Sequence, residues 1–218
     1  MNATQLKVIG IVSMTIDHIG YFLFPQMTVL RMIGRLAYPI FAYMIAEGCR
    51  YTRNKVRYFC TMFAIACVCS SAAYFAERSR YQSIFTTFSC AMLLIFALDA
   101  AAKTAEGARK ILWDVSAALL VFLYFAVFQL RMIPGLETDY GFLGIITPVL
   151  VWLGRSKAEK LLGLALGLSL LSAELGAVQF CSLAAVALLY FYNGKRGNHS
   201  LKWAFYVYYP LHIAALYG

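Results

Sequence analysis

The sequence predicts an all-α, polytopic membrane helical bundle, and three observations predict it. Of the 218 residues, 62% are hydrophobic, whereas a soluble domain carries about 45–50%. The mean hydropathy is +0.71. Apolar runs of roughly 17–22 residues, the length that crosses a bilayer, follow one another with no polar stretch long enough for a soluble domain between them. Residues 1–218 therefore read as one transmembrane domain.

The elements follow in order. The first helix covers 6–24 and ends at Pro25; with only Lys7 as a weak basic start, Asp17 and His18 inside it and no small-residue cleavage site before Pro25, it reads as a retained helix rather than a signal peptide. The second covers 30–48. The next loop holds Arg50, Arg53, Lys55 and Arg57, the densest basic cluster in the chain, which places it in the cytoplasm. The second helix thus runs inward and the N-terminus is inside. Helices over 58–75, 84–101 and 111–130 follow. They are joined by a nearly neutral outer turn at Glu77–Arg80 and an inner loop with Lys103, Arg109 and Lys110. Residues 131–141 form an acidic outer loop with Glu137 and Asp139. A short helix over 140–153, carrying Gly141, Gly144 and Pro148, is open to being broken or re-entrant. Residues 161–192 have basic flanks on both sides (Lys157 and Lys160; Lys195, Arg196 and Lys202), which calls for an even number of crossings, so a hairpin turns at Glu174. A last helix over 203–217 starts at Trp203 and holds Pro210 and His212. The expected count is about nine transmembrane helices, N-terminus in and C-terminus out.

The formal charge of +9 fits basic cytoplasmic loops that orient helices and meet anionic membrane lipid, so no nucleic-acid partner is expected. The six cysteines lack CxxC or Cys/His spacing, and neither a metal nor a disulfide framework is expected.

Asp17, His18, Arg31, Arg35 and Glu47 crowd the first two helices. Each ionisable group near a bilayer centre costs at least roughly 2.5–3.5 kcal/mol, so the accumulation points to a polar site. His18 lies about twelve residues into the first helix, or roughly 18 Å, and histidine is the side chain best suited to moving a proton near neutral pH. Asp17 projects about 100° away, so it either reaches the His18 ring obliquely or binds an arginine. A structural Asp17–Arg35 ion pair beside a packed histidine is the competing reading. Arg31 and Arg35, one turn apart, share a face with Tyr38, and their planar forks suit a phosphate, carboxylate or oxyanion. Arg31 can snorkel outward, whereas Arg35 lies deeper. Pro39 is expected to bend the helix. Glu47 is open to a local salt bridge or ligand binding. Arg50, Arg53, Asn54, Lys55 and Arg57 serve orientation or the phosphates of a nucleotide-bearing cofactor. His212 either lines the same cavity or packs in the core.

The blocks LKVIGIVSMTIDHIG, LRMIGRLAYPIFAYMIAEGCRYTRNKVRY, DYGFLGI and KWAFYVYYPLHIAAL together resemble the TraX family of membrane proteins. The joint pattern IDHIG, RxIGRLAxPIF, AEGxxxTRN and YPLH is specific where no single piece is. The family is associated with N-terminal acetylation of conjugative pilin and is similar to larger membrane acyltransferase families. The resemblance implies an O- or N-acetyltransferase of the bacterial inner (cytoplasmic) membrane that takes acetyl-CoA from the cytoplasm and modifies an extracytoplasmic acceptor, a pilin or a glycan. In that reading His18 is the general base, with Asp17 and Arg35 beside it. Arg31, Arg35 and Tyr38 line the acyl path, and Arg50, Arg53, Asn54, Lys55 and Arg57 meet the CoA phosphates. Glu47, Asp139, Tyr140 and His212 are candidate acceptor contacts. The competing class is a small proton-coupled transporter or channel, which buried charges also suit; no internal repeat supports it.

Overall fold

The computed structural model describes residues 1–197 and 202–217, and the side chains of 76, 77, 202–206, 214 and 217 stand outside that description. The expected part of Lys202 in the basic flank, the Trp203 side chain at the start of the last helix, and the part of Glu77 in the outer turn therefore lie outside the described residues. Among the described residues the regular structure is helical, and one isolated bridge, Gln82 with Thr138, is the only β pairing.

Helix α1 (Ala3–Phe22) begins at a capping box: Asn2 Oδ1 accepts from the Gln5 backbone N–H and Gln5 Oε1 accepts from that of Asn2, both at 2.9 Å. Two orphan donors of the first turn are satisfied at once. Asn2→Ala is expected to cost about 1 kcal/mol, read as a fall in the thermal midpoint of the detergent-solubilised protein.

The expected second helix is two helices, α2 (Thr28–Gly34) and α3 (Ala37–Tyr51), separated by a turn at Arg35 and Leu36. Pro39 explains the position of the break. Its ring opposes the carbonyl four residues earlier, that of Arg35, and it has no N–H to give that carbonyl. The distortion therefore falls one turn before the proline, and Pro39 itself sits in the first turn of α3, where a missing N–H is tolerated.

Helix α4 (Lys55–Glu77) starts at Asn54, whose side chain accepts from the Arg57 N–H at 2.8 Å. Helix α5 (Ile84–Lys103) and α6 (Ala108–Tyr124) follow, and α6 runs into a π-helical turn at Phe125–Gln129. Helix α7 (Gly141–Leu153) is continuous through Pro148, so it is short but unbroken. Helix α8 (Lys157–Leu175) ends at Gly176, whose φ of +90° is open to glycine and strained for other residues. The hairpin turn expected near Glu174 thus falls two residues later, and its second limb is a 3₁₀ segment, Ala177–Leu183, leading into α9 (Ala184–Tyr190). Helix α10 (Lys202–Tyr217) closes the chain.

Four stretches among the described residues are long and apolar enough to cross a membrane: Thr28–Tyr51, Lys55–Phe75, Ile84–Lys103 and Ala108–Gln129. The chain is a helical membrane protein on that ground. The other segments expected to cross are shorter, broken or more polar: α7 and the Ala177–Tyr190 stretch are short, and α1 carries Ser13, Thr15, Asp17 and His18.

The chain packs as two compact units. One comprises Met1–Met44 with Gly154–Gly218, the other Ile45–Leu153. In the first, Leu6, Ile40, Leu164, Leu168, Leu171 and Leu189 are fully buried. In the second, α5 is the centre, flanked by α4, α6 and α7, with Met92, Ile95, Ile145 and Val151 sealed inside. Where lipid surrounds a bundle, close backbone approach through small residues carries much of the association. Helix α1 follows this rule, with Gly10 and Gly20 buried along one stripe.

Candidate functional site

Helix α1 presents two working faces. Gly10, Ser13, Asp17 and Gly20 recur at spacings of three and four residues, and so do Ile11, Thr15, His18 and Phe22, about 100° around the axis. The glycine stripe meets α2 and α3. A Cβ on Gly10 would lie 3.1 Å from the Phe41 ring, and one on Gly20 would lie 2.7 Å from Leu30 Cβ. The other stripe meets α10. Asp17 and His18, adjacent in sequence, are therefore drawn to different partners.

Asp17 faces the arginines. Arg31 Nη1 donates to Asp17 Oδ2 at 2.6 Å and to the Asp17 carbonyl at 3.1 Å. Arg35 Nη2 stands 3.9 Å from Asp17 Oδ1, an ion-pair distance beyond hydrogen-bond range. The Asp17–Arg35 ion pair left open by the sequence is present at that longer distance, and Arg31 is the arginine in direct hydrogen-bond contact. Arg31 in α2 and Arg35 at its C-cap lie on one side, as their spacing requires. Gly34 makes the cluster possible: a Cβ there would stand 2.2 Å from Asp17 Cβ and Oδ1.

His18 faces α10. Its Nδ1 lies 2.7 Å from His212 Nε2, and His212 Nδ1 lies 2.9 Å from the Tyr208 carbonyl. A carbonyl can only accept, so His212 Nδ1 carries a proton. In the neutral ring Nε2 then presents a lone pair, and His18 Nδ1–H donates to it. The chain of acceptors leaves His18 Nε2 unprotonated and able to take a proton. The same logic orients a hydroxyl pair below. Thr15 Oγ1 donates to the Ile11 carbonyl at 2.9 Å, so Tyr208 Oη donates to Thr15 at 2.8 Å. The Tyr208 ring stacks on His212 with centroids 5.0 Å apart and planes 12° off parallel, while Tyr209 meets both histidines edge-on. His212 is buried, at 7% exposure. Of the two alternatives left by the sequence, the buried packing position is the one seen, with the ring in hydrogen-bond contact with His18.

Tyr38, buried on α3, belongs to the same unit. The remaining candidates belong to the second unit. Arg50, in the last turn of α3, donates to the Trp152 carbonyl and lies 5.8 Å from that residue's ring. Lys55 pairs with Asp99, which Lys103 also meets at 2.8 Å. Asn54 caps α4. Arg53 and Arg57 are exposed, and among the described residues no hydrogen bond or ion pair holds either guanidinium. They flank the N-terminus of α4, where the helix dipole and first-turn N–H groups favour anions. Those two fit a phosphate group, whereas Arg50 and Lys55 already have protein partners. Glu47 is half-buried on α3. Asp139 Oδ1 accepts from the Tyr81 hydroxyl at 2.7 Å, and its carbonyl accepts from Thr87 at 2.8 Å. Tyr140 adopts φ +63° at the entry to α7.

The profile of the family described as TraX protein matches residues 2–218. The chain belongs to the TraX family. Within reach of this TraX chain is the "Probable fimbrial assembly protein FimC, serogroup H1" of Dichelobacter nodosus. The two are 27% identical over 240 residues, covering 99% of this chain and 94% of that protein. The "Uncharacterized protein RP591" of Rickettsia prowazekii (strain Madrid E) is 50% identical over 52 residues, 24% of this chain and 21% of that protein. No solved structure matches the TraX chain.

Several residues of the site escaped sequence reading. Tyr208 and Thr15 carry no charge and look like ordinary members of apolar helices. Gly34 had a signal, since it lies between two arginines on a helix facing Asp17, but close approach shows only in three dimensions. Asp99 had one too: its i,i+4 relation to Lys103 is a helix-surface pair.

Proposed function

We propose that this TraX protein is a membrane-embedded acetyltransferase that moves an acetyl group from acetyl-CoA to an amine or hydroxyl of an extracytoplasmic acceptor. The observation that carries the reading is the His18–His212–Tyr208 chain, because its hydrogen-bond directions leave a basic nitrogen at His18 Nε2 within an apolar bundle. Acetyl-CoA supplies, when bound, an activated acyl thioester. Arg53 and Arg57 hold its phosphates at the N-terminus of α4. His18 accepts the proton of the attacking amine or hydroxyl, and His212 keeps the His18 ring in the required tautomer. Arg31 fixes Asp17, and Arg35 offers its guanidinium to negative charge developing during transfer. Glu47, Asp139, Tyr140 and Tyr38 are assigned to the acceptor and acyl path.

The finer topology belongs to the same proposal: about nine crossings, N-terminus in and C-terminus out, in the bacterial inner membrane. The name of the Dichelobacter relative, a probable fimbrial assembly protein, favours a pilin acceptor, and a cell-surface glycan offers the same nucleophiles. Mass spectrometry of surface proteins and glycans from cells with and without the protein tests the reading. The expected result is a set of acetyl groups present only with the wild-type chain. Identical acetylation in both would remove the proposal.

A further inference from the structure

The second unit holds a cleft that the transfer chemistry does not use. Between the last turns of α4 and the 133–136 segment lies a cavity of about 520 Å³, lined by Ser70, Ser71, Tyr74, Ser79, Arg80 and Gln82 and closed by Ile133 and Leu136. A second cavity of about 270 Å³ shares Ser70, Ser71 and Gln82 and continues toward Phe63 and Cys67, two turns further along α4. One end is rich in hydroxyl groups and basic; the other is apolar.

Gln82 is a fixed rib between the two parts. Ser70 Oγ donates to Gln82 Oε1 at 2.7 Å, and Gln82 Nε2 donates to the Arg80 carbonyl at 2.9 Å. Its backbone N–H donates to the Glu137 carbonyl at 2.7 Å, and its carbonyl accepts from Asp139 at 3.3 Å. The cleft is therefore built on an ordered frame rather than on a loose loop.

Its charge is positive. Among the described residues no carboxylate lies within ion-pair distance of Arg80, while Glu137 pairs with Arg131 at 3.5 Å. Arg78 lies 5.7 Å over the Tyr74 ring, itself part of the lining. Both arginines sit at the opposite end of α4 from Arg53, Lys55 and Arg57, where the positive-inside rule gives no reason for basic residues. The helix below them is apolar and largely uncovered: only 11% of its apolar window is buried inside the protein. Tyr74 and Phe63 are eleven residues apart, or about 16 Å along the axis, close to the roughly 15 Å depth of one leaflet.

We infer that this cleft binds an anionic phospholipid of the surrounding bilayer. The phosphate head meets Arg80 and the hydroxyls of Ser71 and Ser79, and one acyl chain lies along α4 past Ser70 and Cys67 to Phe63. A soluble anion would use the basic end and leave the apolar extension without purpose. A zwitterionic lipid offers the same phosphate but brings its own cation beside Arg78 and Arg80, which the basic end disfavours. The inference does not depend on the acetyltransferase reading.

Native mass spectrometry of the purified full-length protein, incubated separately with dioleoylphosphatidylglycerol, dioleoylphosphatidylcholine and glycerol 3-phosphate, tests it. Phosphatidylglycerol should be retained about tenfold over phosphatidylcholine, the scale of one charge-assisted hydrogen bond. Glycerol 3-phosphate should not be retained. Arg80→Gln, on an exposed loop position, should erase the preference without changing the lipid-free thermal midpoint. Ser71→Trp, which fills the cavity, should lower retention of both lipids. Equal retention of the two lipids by the wild type, a preference untouched by Arg80→Gln, or retention of glycerol 3-phosphate at the lipid's level would overturn the inference.

Discussion

His18→Ala is expected to lower the rate of acetyl transfer by about 10²- to 10⁴-fold, the usual worth of a general base, and to cost about 1–3 kcal/mol of stability because buried His212 Nε2 loses its partner. The site explains why a replacement at His212 behaves differently. His212 touches the ring of His18 rather than the reacting proton, so its loss misorients the base instead of removing it. His212→Ala is expected to lower kcat by up to about 10²-fold and to leave KM for acetyl-CoA unchanged. Tyr208→Phe is the control. The group that fixes His212 is the Tyr208 backbone carbonyl, which the substitution keeps, so only the 2.8 Å bond to Thr15 is lost. That variant should retain most activity and lose about 1 kcal/mol of stability. Release of CoA thiol from acetyl-CoA in isolated membranes measures all three, and equal losses in the Tyr208 and His212 variants would contradict the assigned hydrogen-bond directions.

Gly34→Ala carries the second large effect, and it acts on the charge cluster. The added methyl would fall 2.2 Å from Asp17 Oδ1, where neither the short carboxylate side chain nor the helix backbone can yield cheaply. The substitution forces α2 from α1 or breaks the Asp17–Arg31 contact. Overpacking of this kind costs about 1–3 kcal/mol, and activity falls with it as Arg35 moves. Gly10→Ala is the matched comparison, on the α1 face that also carries Asp17, since its nearest neighbour, 3.1 Å away, is the edge of the Phe41 ring. It should be much milder. Removing Asp17 itself leaves Arg31 and Arg35 facing each other. With side chains 16% and 24% exposed, Asp17→Ala should cost about 2 kcal/mol, below the roughly 3–5 kcal/mol of a fully buried pair. A double-mutant cycle with Arg31→Ala should show coupling of similar size, measured by unfolding in detergent.

The amphipathic logic of single helices was legible in the residues. The 100° between Asp17 and His18 correctly separated their partners, and the i,i+4 spacing of Arg31 and Arg35 correctly placed both beside one target. Asn54, at the start of α4, ended a loop that the basic cluster already marked. What could not be read was contact between distant segments. His18 and His212 are 194 residues apart, and no periodicity links them. The break at Arg35 and Leu36 shows a subtler limit: Pro39 announced a distortion, but its steric reach is backward along the helix, so the turn lies before it. The number of crossings is less legible for a related reason. Apolar length alone does not separate a spanning helix from α7, thirteen residues long, or from a limb that begins as a 3₁₀ segment. In the basic loop, sequence counted charges without their partners, and Asp99 and Trp152 decide which of them face outward.

The central claim is that this TraX protein transfers acetyl groups with His18 as base, and purified protein in sealed proteoliposomes tests it most directly. With acetyl-labelled acetyl-CoA on one face and an amine- or hydroxyl-bearing acceptor on the other, the wild type should label the acceptor and release one CoA thiol per acetyl group. His18→Gln should do neither at more than a background rate. Vesicles that pass protons or solute through the protein while forming no labelled product and no free thiol would contradict the account and point to a carrier instead.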